Sequence, residues 1–307
     1  MADETFAPAC VDVVVVSYCS RDTLRGCVAP LAGAPGVNVI VVDNASPDDA
    51  VDTVADLAGL DVVRAGRNGG FSSGCNAGAA AGSAPYVLLL NPDAVLQPEA
   101  LGKLVAVLES DDLIGLVSPK LLGPDGEVAL SQRRFPRLRS SFAQALFLHR
   151  LLPSLDEIVR EPAAYEGTGS PDWVSGACML IRRSALDEIG GMDEDFFLYC
   201  EDTDVCMRLR EAGYAIRFEP SVRADHIGGA SGSRSRLRPV LACSRVTYAR
   251  KHFRWPAPLI EAFAVALGEG VHAAVKLRRP EQVRGHLAAL RAVVLGGRTA
   301  LPAARTT

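Results

Sequence analysis

The sequence predicts an α/β protein built on a doubly wound, mostly parallel sheet. Three runs of β-branched and aliphatic residues carry this prediction, at residues 11–17, 37–42 and 86–90. Their apolar residues are continuous rather than alternating, which is typical of parallel strands buried on both faces. Helical segments separate the runs, and a strand–helix–strand rhythm favours helices on both sides of one sheet.

Each element of the first half has a local reason. The strand at 11–17 leads into a helical stretch at 20–31. The strand at 37–42 stops at Asp43, before a helix at 48–57 for which Ser46 or Asp48 is a suitable cap. The next predicted elements are a short strand at 60–64, a Gly-rich entry at 66–74 to an Ala-rich helix at 75–81, a strand at 86–90 that stops at Asn91-Pro92-Asp93, and a helix at 98–108.

The second half is less regular. Its predicted elements are strands at 114–119, 173–182 and 216–219, helices at 138–153, 203–212, 257–279 and 282–295, a turn at 124–126, and loops at 161–171 and 228–238. Gly176 interrupts the strand at 173–182, and a glycine inside a strand marks close approach of the backbone to a ligand. We place a domain boundary near residue 240, between an α/β domain at 1–240 and a basic helical extension at 241–307.

Length and composition exclude several classes of protein. The chain has 307 residues, of which 49% are hydrophobic and 22% charged, a balance typical of a globular protein with a sizeable core. No apolar run reaches the roughly 18 residues of a membrane-spanning helix. Residues 1–9 lack the basic start of a secretory signal, and the eight cysteines form no CxxC pair. We therefore expect a cytoplasmic protein with reduced thiols.

Polar residues at the ends of predicted strands form the first candidate site. Ser17 and Tyr18, Asp43, and Asn91 and Asp93 each end or follow an apolar run. Ligands of open α/β sheets bind beyond the carboxyl ends of the strands, so these residues should converge. A carboxylate at position 93 can hold a divalent cation that bridges two phosphates, or instead cap the following helix. Asp43 can accept hydrogen bonds from a base or ribose, or instead form a turn.

A Gly-rich segment forms the second candidate site. Arg67-Asn68-Gly69-Gly70-Phe71 enters a helix, with Asn76 five residues later. Backbone amides in such loops approach phosphates or a base. The segment is not GxGxxG and lacks the GKS or GKT of a P-loop, which disfavours kinases and NTPases. An ordinary connecting loop is the alternative interpretation.

Two further features indicate acid–base or metal chemistry. In Glu201-Asp202-Thr203-Asp204, one carboxylate faces the crevice as a general base, or the acids simply begin a helix. His226 is an additional metal ligand if a cation is bound at Asp93, and is otherwise a polar loop residue. No GxSxG or HExxH is present, so a serine hydrolase and a metalloprotease are unsupported.

In this order, the segments resemble glycosyltransferase family 2, the inverting enzymes with a GT-A fold. The matching stretches are VVVVSYCSRDTL (13–24), VIVVDNAS (39–46), RNGGFSSGCNAGAAA (67–81), YVLLLNPDAVL (86–96), SGACMLIRRSALDEIGGMDEDFFLYCEDTDVCMRLREAGY (175–214) and ADHIGGAS (224–231). Each is modestly specific alone, but the ordered set is highly specific. The NPDA form of the metal motif, QRRFPR (132–137) and TYARKHF (247–253) make the chain most similar to bacterial rhamnosyltransferases.

The resemblance implies a role for each matching residue. Asp202 is implied as the general base, and Asp93 and His226 as ligands of Mg²⁺ or Mn²⁺ on the donor diphosphate. The residues implied to line the nucleotide-sugar site are Ser17, Tyr18, Asp43, Asn68, Gly70, Asn76, Asn91, Asp93, Gly176 and Ala177. Those implied on the acceptor side are Trp173, Glu201 and Arg134. The chain departs from the family pattern at Cys19, where Asn is common, and at Asn91, where a first Asp often stands.

The implied reaction is transfer of a sugar, with inversion, from a nucleotide-sugar to an acceptor hydroxyl. The resemblance favours dTDP-rhamnose as donor, while UDP-galactofuranose, GDP-mannose and UDP-GlcNAc fit the same framework. The acceptor is a polyprenyl-diphosphate-linked or other cell-envelope glycan, or a natural product. Two alternatives stay open: a nucleotide-sugar-binding relative without catalysis, and a nucleotidyltransferase, which needs a basic Gly-rich loop that residues 11–24 lack.

The charge is unevenly distributed along the chain. Residues 1–226 hold 18 Lys and Arg against 33 Asp and Glu, whereas residues 227–307 hold 14 against 3. An acidic body with a basic tail does not suggest nucleic acid as a partner, but a phospholipid surface or a pyrophosphate. In the helix predicted at 257–279, apolar residues recur at helical spacing before Lys276, Arg278 and Arg279. This stripe either lies on the inner face of the cell membrane or packs on the body or on a second subunit of a homodimer.

Overall fold

An eight-stranded sheet organises the protein in a computed structural model that describes residues 11–228 and 234–296. Its strands are β1 (Val11–Ser17), β2 (Val37–Asp43), β3 (Leu60–Arg64), β4 (Tyr86–Leu90), β5 (Ala94–Val95), β6 (Ile114–Leu122), β9 (Cys178–Arg182) and β10 (Ala215–His226). A second, two-stranded sheet pairs β7 (Gln132–Arg133) with β8 (Trp173–Val174).

The spatial order of the large sheet is β3-β2-β1-β4-β9-β6-β10-β5. The first four strands are parallel, as predicted for the doubly wound half. Strand β9 runs antiparallel to β4 and β6, β10 is parallel to β6, and β5 is antiparallel to β10. The sheet is therefore mixed, and the predicted α/β fold class is confirmed.

Helices cover both faces of the sheet. They are α1 (Leu24–Val28), α2 (Phe71–Ala81), α3 (Pro98–Glu109), α4 (Leu138–Ala145), α5 (Arg183–Glu188), α6 (Glu201–Glu211), α7 (Arg234–His252), α8 (Ala257–Val275) and α9 (Pro280–Val294). In β1, Val11, Val13 and Val15 join one core with α1 and α3, whereas Val14 and Val16 join another with α2 and α6. Successive strand residues point to opposite faces, which is why this strand is apolar throughout.

Several predicted boundaries are wrong, each for a local reason. The strand predicted at 173–182 is divided in two, because Trp173 and Val174 pair with β7 in the small sheet, whereas Cys178–Arg182 pairs with β4 and β6 in the large sheet. The helix predicted at 138–153 ends at Ala145, and Phe147 has a φ of 60°, which a continuing helix does not allow. The strand predicted at 216–219 extends to His226. Of the loop predicted at 228–238, residues 229–233 lie outside the described part, and α7 begins at residue 234.

The C-terminal helices pack on one another and on α4. In the described part of the chain, α8 is long and apolar enough to cross a membrane by length and composition. The sequence analysis, which found no continuous apolar run of that length, did not predict such a helix. Its two buried carboxylates, Glu261 and Glu269, form ion pairs with Arg245 and Arg238 of α7. The predicted domain boundary near residue 240 falls inside α7 and stays a prediction.

Candidate active site

Three neighbouring strands bring their carboxyl ends to one edge of the sheet. In the parallel register, Ser17 at the end of β1 lies beside Asp43 at the end of β2, and Val15 lies beside Leu90 at the end of β4. Asn91 follows Leu90 directly, so the polar residues that follow these strands lie at the same edge. This convergence is what the strand pattern predicted.

Asp93 and His226, separated by 133 residues in sequence, form a pair at this edge. Strand β5 places Ala94 opposite His226 on β10, and the Ile227 amide donates to the Asp93 carbonyl at 3.1 Å. The His226 Nε2 atom lies 3.3 Å from Asp93 Oδ1, and the Asp93 side chain is buried. A short antiparallel pairing of two strands therefore brings together the two predicted metal ligands.

The donor set at this pair suits a cation that arrives with phosphate. No cluster of three or more His, Cys, Asp or Glu side chains that could hold a metal occurs within residues 11–228 and 234–296. Asp93 and His226 supply one carboxylate and one imidazole. Mg²⁺ and similar ions use one or two protein carboxylates and complete their shell with substrate phosphates and water. One carboxylate and one imidazole therefore fit a divalent cation that takes its remaining ligands from phosphate and water.

The Asp202 carboxylate is held at the start of α6. Its Oδ2 accepts a hydrogen bond from the Gly176 amide at 3.1 Å, and its Oδ1 accepts one from the Thr203 amide at 2.8 Å. Burial raises the pKa of Asp202, while these two amides and the positive charge of Arg133 act in the opposite direction. A carboxylate with a raised pKa is a stronger proton acceptor than an ordinary Asp side chain, as a general base requires.

Gly176 and Ala177 connect the loop that carries Asp93 to the helix that carries Asp202. The Asn91 amide donates to the Ala177 carbonyl at 3.0 Å, and the Gly176 amide donates to Asp202 on the other side. The loop that carries Asp93 and the helix that carries Asp202 are thus both bonded to one two-residue segment. The segment lies between the end of β8 and the start of β9, where the chain passes from the small sheet to the large one.

Among the residues at the ends of β1 and β2, Asp43 and Tyr18 are partly exposed, whereas Ser17 is buried. The Asp43 carboxylate accepts the Ser46 amide at 2.9 Å and lies 3.3 Å from the Arg64 guanidinium. Tyr18 is half-buried, whereas Ser17 is fully buried and its hydroxyl shares a 2.8 Å hydrogen bond with Ser20. The Ser17 side chain therefore lies beneath the surface of the site, and its contact with a nucleotide stays a prediction.

Asn44, which the sequence placed with Asp43 at a strand end without assigning it a role, fixes the Gly-rich segment. Its side chain donates to the Gly70 carbonyl and to Asn68 Oδ1, and it accepts the Gly69 amide, all within 3.1 Å. Asn68 Oδ1 also accepts the Gly70 amide at 3.0 Å. These bonds hold the loop in one conformation. They engage the side chain of Asn68, which the sequence assigned to the nucleotide, and that of Asn44, which directly follows Asp43.

Gly70 and Asn76 hold the segment that leads into α6. Gly70 has a φ of 89°, and the Phe71 amide donates to the Phe197 carbonyl at 2.8 Å. The Asn76 side chain exchanges two hydrogen bonds of 2.8 Å with the Met192 backbone and donates to Glu194 at 3.0 Å. Both residues thus position the approach to Asp202, and their predicted contact with the nucleotide stays a prediction.

Arg134 and Trp173, which were predicted on the acceptor side, contact each other, and their contact with an acceptor stays a prediction. The Arg134 guanidinium binds the Asp156 carbonyl at 3.1 Å and the Glu161 carboxylate at 3.0 Å, and its carbonyl accepts the Trp173 indole at 3.0 Å. Arg133, which the sequence reasoning missed, lies over the Trp173 ring at 5.9 Å and acts electrostatically on Asp202. The Arg133 guanidinium also donates to the Leu130 carbonyl, so its effect on the proposed base is one of charge and not of a hydrogen bond.

Glu201 is buried rather than presented to an acceptor. It is 7% exposed, and its Oε2 has no hydrogen-bond partner among the described residues. Burial and the neighbouring charge of Asp202 hold the pKa of Glu201 well above its ordinary value. Direct contact between this carboxyl group and an acceptor therefore has no support in its position.

Helix α7 also supports the segment around the base, which the sequence did not indicate. His252 Nε2 lies 2.8 Å from Asp204 Oδ1, and the Ser244 hydroxyl donates to the Leu198 carbonyl at 2.8 Å. Lys251 Nζ lies 2.7 Å from a carboxylate oxygen of both Asp193 and Asp195. The segment leading into α6 is therefore held from α2 on one side and from α7 on the other.

Comparison with solved structures defines the class of protein. The fold is that of the GT-A glycosyltransferases. The mannosyltransferase PcManGT of Pyrobaculum calidifontis, solved with GDP-Man and Mn²⁺, matches 96% of this chain over 89% of its own, with a TM-score of 0.55 and 18% identity. GalNAc-T7, solved with UDP, GalNAc and Mn²⁺, matches 95% of this chain over 57% of its own, with a TM-score of 0.59 and 15% identity.

The chain belongs to glycosyl transferase family 2, whose family model matches residues 12–190. Two curated relatives are rhamnosyltransferases. N-acetylglucosaminyl-diphospho-decaprenol L-rhamnosyltransferase of Mycobacterium tuberculosis is 29% identical over 279 residues, which cover 80% of this chain and 87% of the relative. Rhamnosyltransferase WbbL of Escherichia coli is 30% identical over 227 residues, which cover 70% and 83%. The family resemblance predicted from the ordered motifs is confirmed.

Proposed function

We propose that this glycosyltransferase is an inverting rhamnosyltransferase that uses dTDP-rhamnose and a divalent cation, with Asp202 as its general base. The observation that carries the proposal is the link through Gly176 and Ala177. The Ala177 carbonyl accepts the Asn91 amide of the Asp93 loop at 3.0 Å, and the Gly176 amide donates to the Asp202 carboxylate at 3.1 Å. A donor diphosphate held at Asp93 and His226 then has its sugar directed towards the Gly176–Ala177 segment and Asp202.

The proposed reaction is a direct displacement at the anomeric carbon. Asp202 takes the proton from the acceptor hydroxyl as the acceptor oxygen forms its bond to the anomeric carbon. The bond from that carbon to the diphosphate breaks, and the nucleoside diphosphate leaves with the electron pair. The two backbone amides on Asp202 fix its carboxylate for attack from the face opposite the leaving group, which inverts the configuration.

Asp93 and His226 are the residues that would hold Mg²⁺ or Mn²⁺. A bound cation supplies positive charge that offsets the negative charge developing on the departing diphosphate. The solved P. calidifontis mannosyltransferase contains Mn²⁺ and GDP-Man, which supports a metal-bound nucleotide-sugar in this fold. Asp43 and Tyr18, at the ends of β2 and β1, are suited to the nucleoside.

The relatives support the choice of donor and acceptor. The M. tuberculosis relative is named for transfer of L-rhamnose to N-acetylglucosaminyl-diphospho-decaprenol. By analogy, the acceptor of this chain is a polyprenyl-diphosphate-linked sugar, and the enzyme works where cytoplasm and membrane meet. The pre-mycofactocin glycosyltransferase of M. tuberculosis, 30% identical over 220 residues, favours a natural product as the second candidate acceptor.

A transfer assay with matched donors tests this proposal. The full chain is incubated with Mg²⁺, a short-chain polyprenyl-diphosphate-GlcNAc, and either dTDP-rhamnose, UDP-galactofuranose, GDP-mannose or UDP-GlcNAc. We expect a product one deoxyhexose heavier with dTDP-rhamnose alone, and an inverted anomeric configuration by NMR. Transfer from another donor would replace rhamnose in the proposal. Absence of both transfer and donor hydrolysis with every donor would overturn the catalytic assignment.

A further inference from the structure

Exposed apolar side chains are concentrated in two segments of the second half of the chain. Among the described residues, 17 large hydrophobic side chains are exposed, and 13 of them lie within residues 146–152 and 255–295. Single exposed apolar residues are ordinary on a soluble protein. A concentration of this kind marks an interaction surface.

Ring contacts hold the two segments side by side, so we treat their exposed residues as one surface. The rings of Phe142 on α4 and Phe263 on α8 lie 6.3 Å apart, and those of Phe147 and His272 lie 4.3 Å apart. Leu146 and Leu259 each lie one helical turn from one of these contacts. We define the apolar surface by its six residues Leu146, Leu148, Leu151, Leu259, Ile260 and Phe263, which are all exposed.

Positive charge accompanies this surface. The Arg150 guanidinium lies 4.7 Å from the centre of the Phe147 ring. Lys276 follows α8 directly, and its carbonyl accepts the Arg279 amide at 2.8 Å. The Phe147 ring that Arg150 covers stacks on His272, whose carbonyl accepts the Lys276 amide at 3.2 Å. The positive charges of Arg238, Arg279 and Arg150 accordingly add to the effect of burial and lower the pKa of Lys276. Arg238 is paired with Glu269, which leaves Arg150, Lys276 and Arg279 as the cations at the margin of the apolar surface.

A short stretch of chain links the apolar surface to Arg133. Leu152 is exposed and precedes Ile158 by six residues, and Ile158 forms an isolated bridge with Arg133. Six residues span about 20 Å at most. This length limits how far the chain can run between the apolar surface and Arg133, whose charge acts on Asp202.

We propose that the apolar surface docks on an anionic lipid bilayer, with its leucines and Phe263 in the interface and Arg150, Lys276 and Arg279 against lipid phosphates. Charge complementarity favours this occupant over a second copy of the chain. A symmetric dimer places the same surface of both copies in one interface, so two copies of the basic cluster would lie together. Lipid phosphates instead neutralise the cluster. Only the consequence that docking brings a lipid-linked acceptor to Asp202 rests on the proposed function.

Helix α8 lies along the bilayer in this proposal rather than across it. Its Glu261 and Glu269 carboxylates are buried against Arg245 and Arg238 of α7, and insertion would separate these ion pairs. The docked face of α8 is the opposite one, which carries Leu259 and Phe263. Binding should therefore depend on salt and leave the fold intact.

Vesicle flotation of the full chain tests the proposal. We expect the wild type to float with vesicles of phosphatidylglycerol and phosphatidylcholine, to float poorly with phosphatidylcholine alone, and to be released by about 0.5 M NaCl. The double variant Leu259→Asp with Phe263→Asp should reduce partition at least about tenfold. Leu113→Asp is the matched control, since Leu113 is 64% exposed and lies outside the apolar surface, and it should float like the wild type.

Three results would overturn the proposal. The first is equal flotation of the double variant and the wild type, and the second is flotation that resists salt and alkaline carbonate, as that of a spanning helix would. The third is a wild-type dimer that the double substitution converts to a monomer, with no lipid binding by either protein. Donor hydrolysis without vesicles keeps this test separate from the proposed function. The double variant should match the wild type in that assay and in thermal stability, because neither residue lies in the active site.

Discussion

The Asp202 carboxylate accepts the backbone amide of Gly176 at 3.1 Å, across a gap of 26 residues in sequence. This bond fixes the orientation of the proposed base relative to the segment that is also bonded to the Asp93 loop. A backbone donor cannot be removed by substitution of a side chain, so the orientation of the base persists in most variants of this site. The predictions below use that property to separate chemistry from architecture.

Asp202→Asn should lower turnover roughly 10²- to 10⁴-fold, the usual contribution of a general base. The Asn side chain keeps an oxygen for only one of the Gly176 and Thr203 amides and places its NH₂ group against the other, which costs local stability. Because we propose that the donor diphosphate is held at Asp93 and His226, donor affinity measured by calorimetry should still stay near that of the wild type. Asp187→Asn is the matched control, because Asp187 is an exposed acid on α5. Wild-type turnover in the Asp202 variant would refute the assignment of the base.

Asp93→Asn and His226→Gln should each weaken metal-dependent donor binding about tenfold or more, because each removes one of the two protein ligands that we propose for the cation. Calorimetry with Mn²⁺ and the nucleotide-sugar measures this loss. With EDTA in place of Mn²⁺, the wild type and both variants should bind donor equally weakly. Asp225→Asn serves as the control, since Asp225 is exposed and adjacent to His226. Equal losses with and without the metal would point to a role other than metal binding.

Gly70→Ala should destabilise the protein by about 3 kcal/mol and lower turnover, because its backbone is in a region used almost only by glycine. A Cβ there would also overlap the Phe197 carbonyl oxygen. Gly66→Ala is the comparison, with a φ of 72° and open space around the added atom, and it should cost about 1 kcal/mol without affecting turnover. Urea unfolding and kinetics measure both effects. Equal effects of the two substitutions would exclude close packing as the reason for Gly70.

Glu201→Gln should flatten the dependence of stability on pH. The folded protein holds the pKa of Glu201 above its ordinary value of 4.5, so the folded state binds this proton more tightly than the unfolded state does. Stability from this group is therefore complete below pH 4.5 and declines as pH rises towards the folded-state pKa. Gln does not ionise, so the melting temperature of the variant should fall less than that of the wild type on raising the pH.

The control for this prediction is Glu211→Gln at the exposed end of the same helix. It should reproduce the slope of the wild type. The difference in slope between pH 5 and about 8 is the informative quantity, because an amide in a buried site also shifts stability by a constant amount. Parallel curves for Glu201→Gln and the wild type would contradict the burial argument.

The sequence by itself determined the strands of the parallel half, the edge at which Asp43, Asn91 and Asp93 lie, and the family. Those inferences depend on local patterns: a continuous apolar run defines a strand buried on both faces, and its end defines where polar residues emerge. Consecutive motifs in a fixed order then identified glycosyl transferase family 2.

Only the tertiary structure decided which of the predicted residues have side chains that are hydrogen-bonded to other parts of the chain. Asn76 is bonded to residues 192–194 and Arg134 to residues 156–161, whereas Arg133 acts on Asp202. Likewise, the pairing of Ala94 with His226 places the imidazole beside Asp93. These outcomes depend on which distant segment packs against each side chain, and long-range packing leaves no periodic trace in the sequence near the residue concerned.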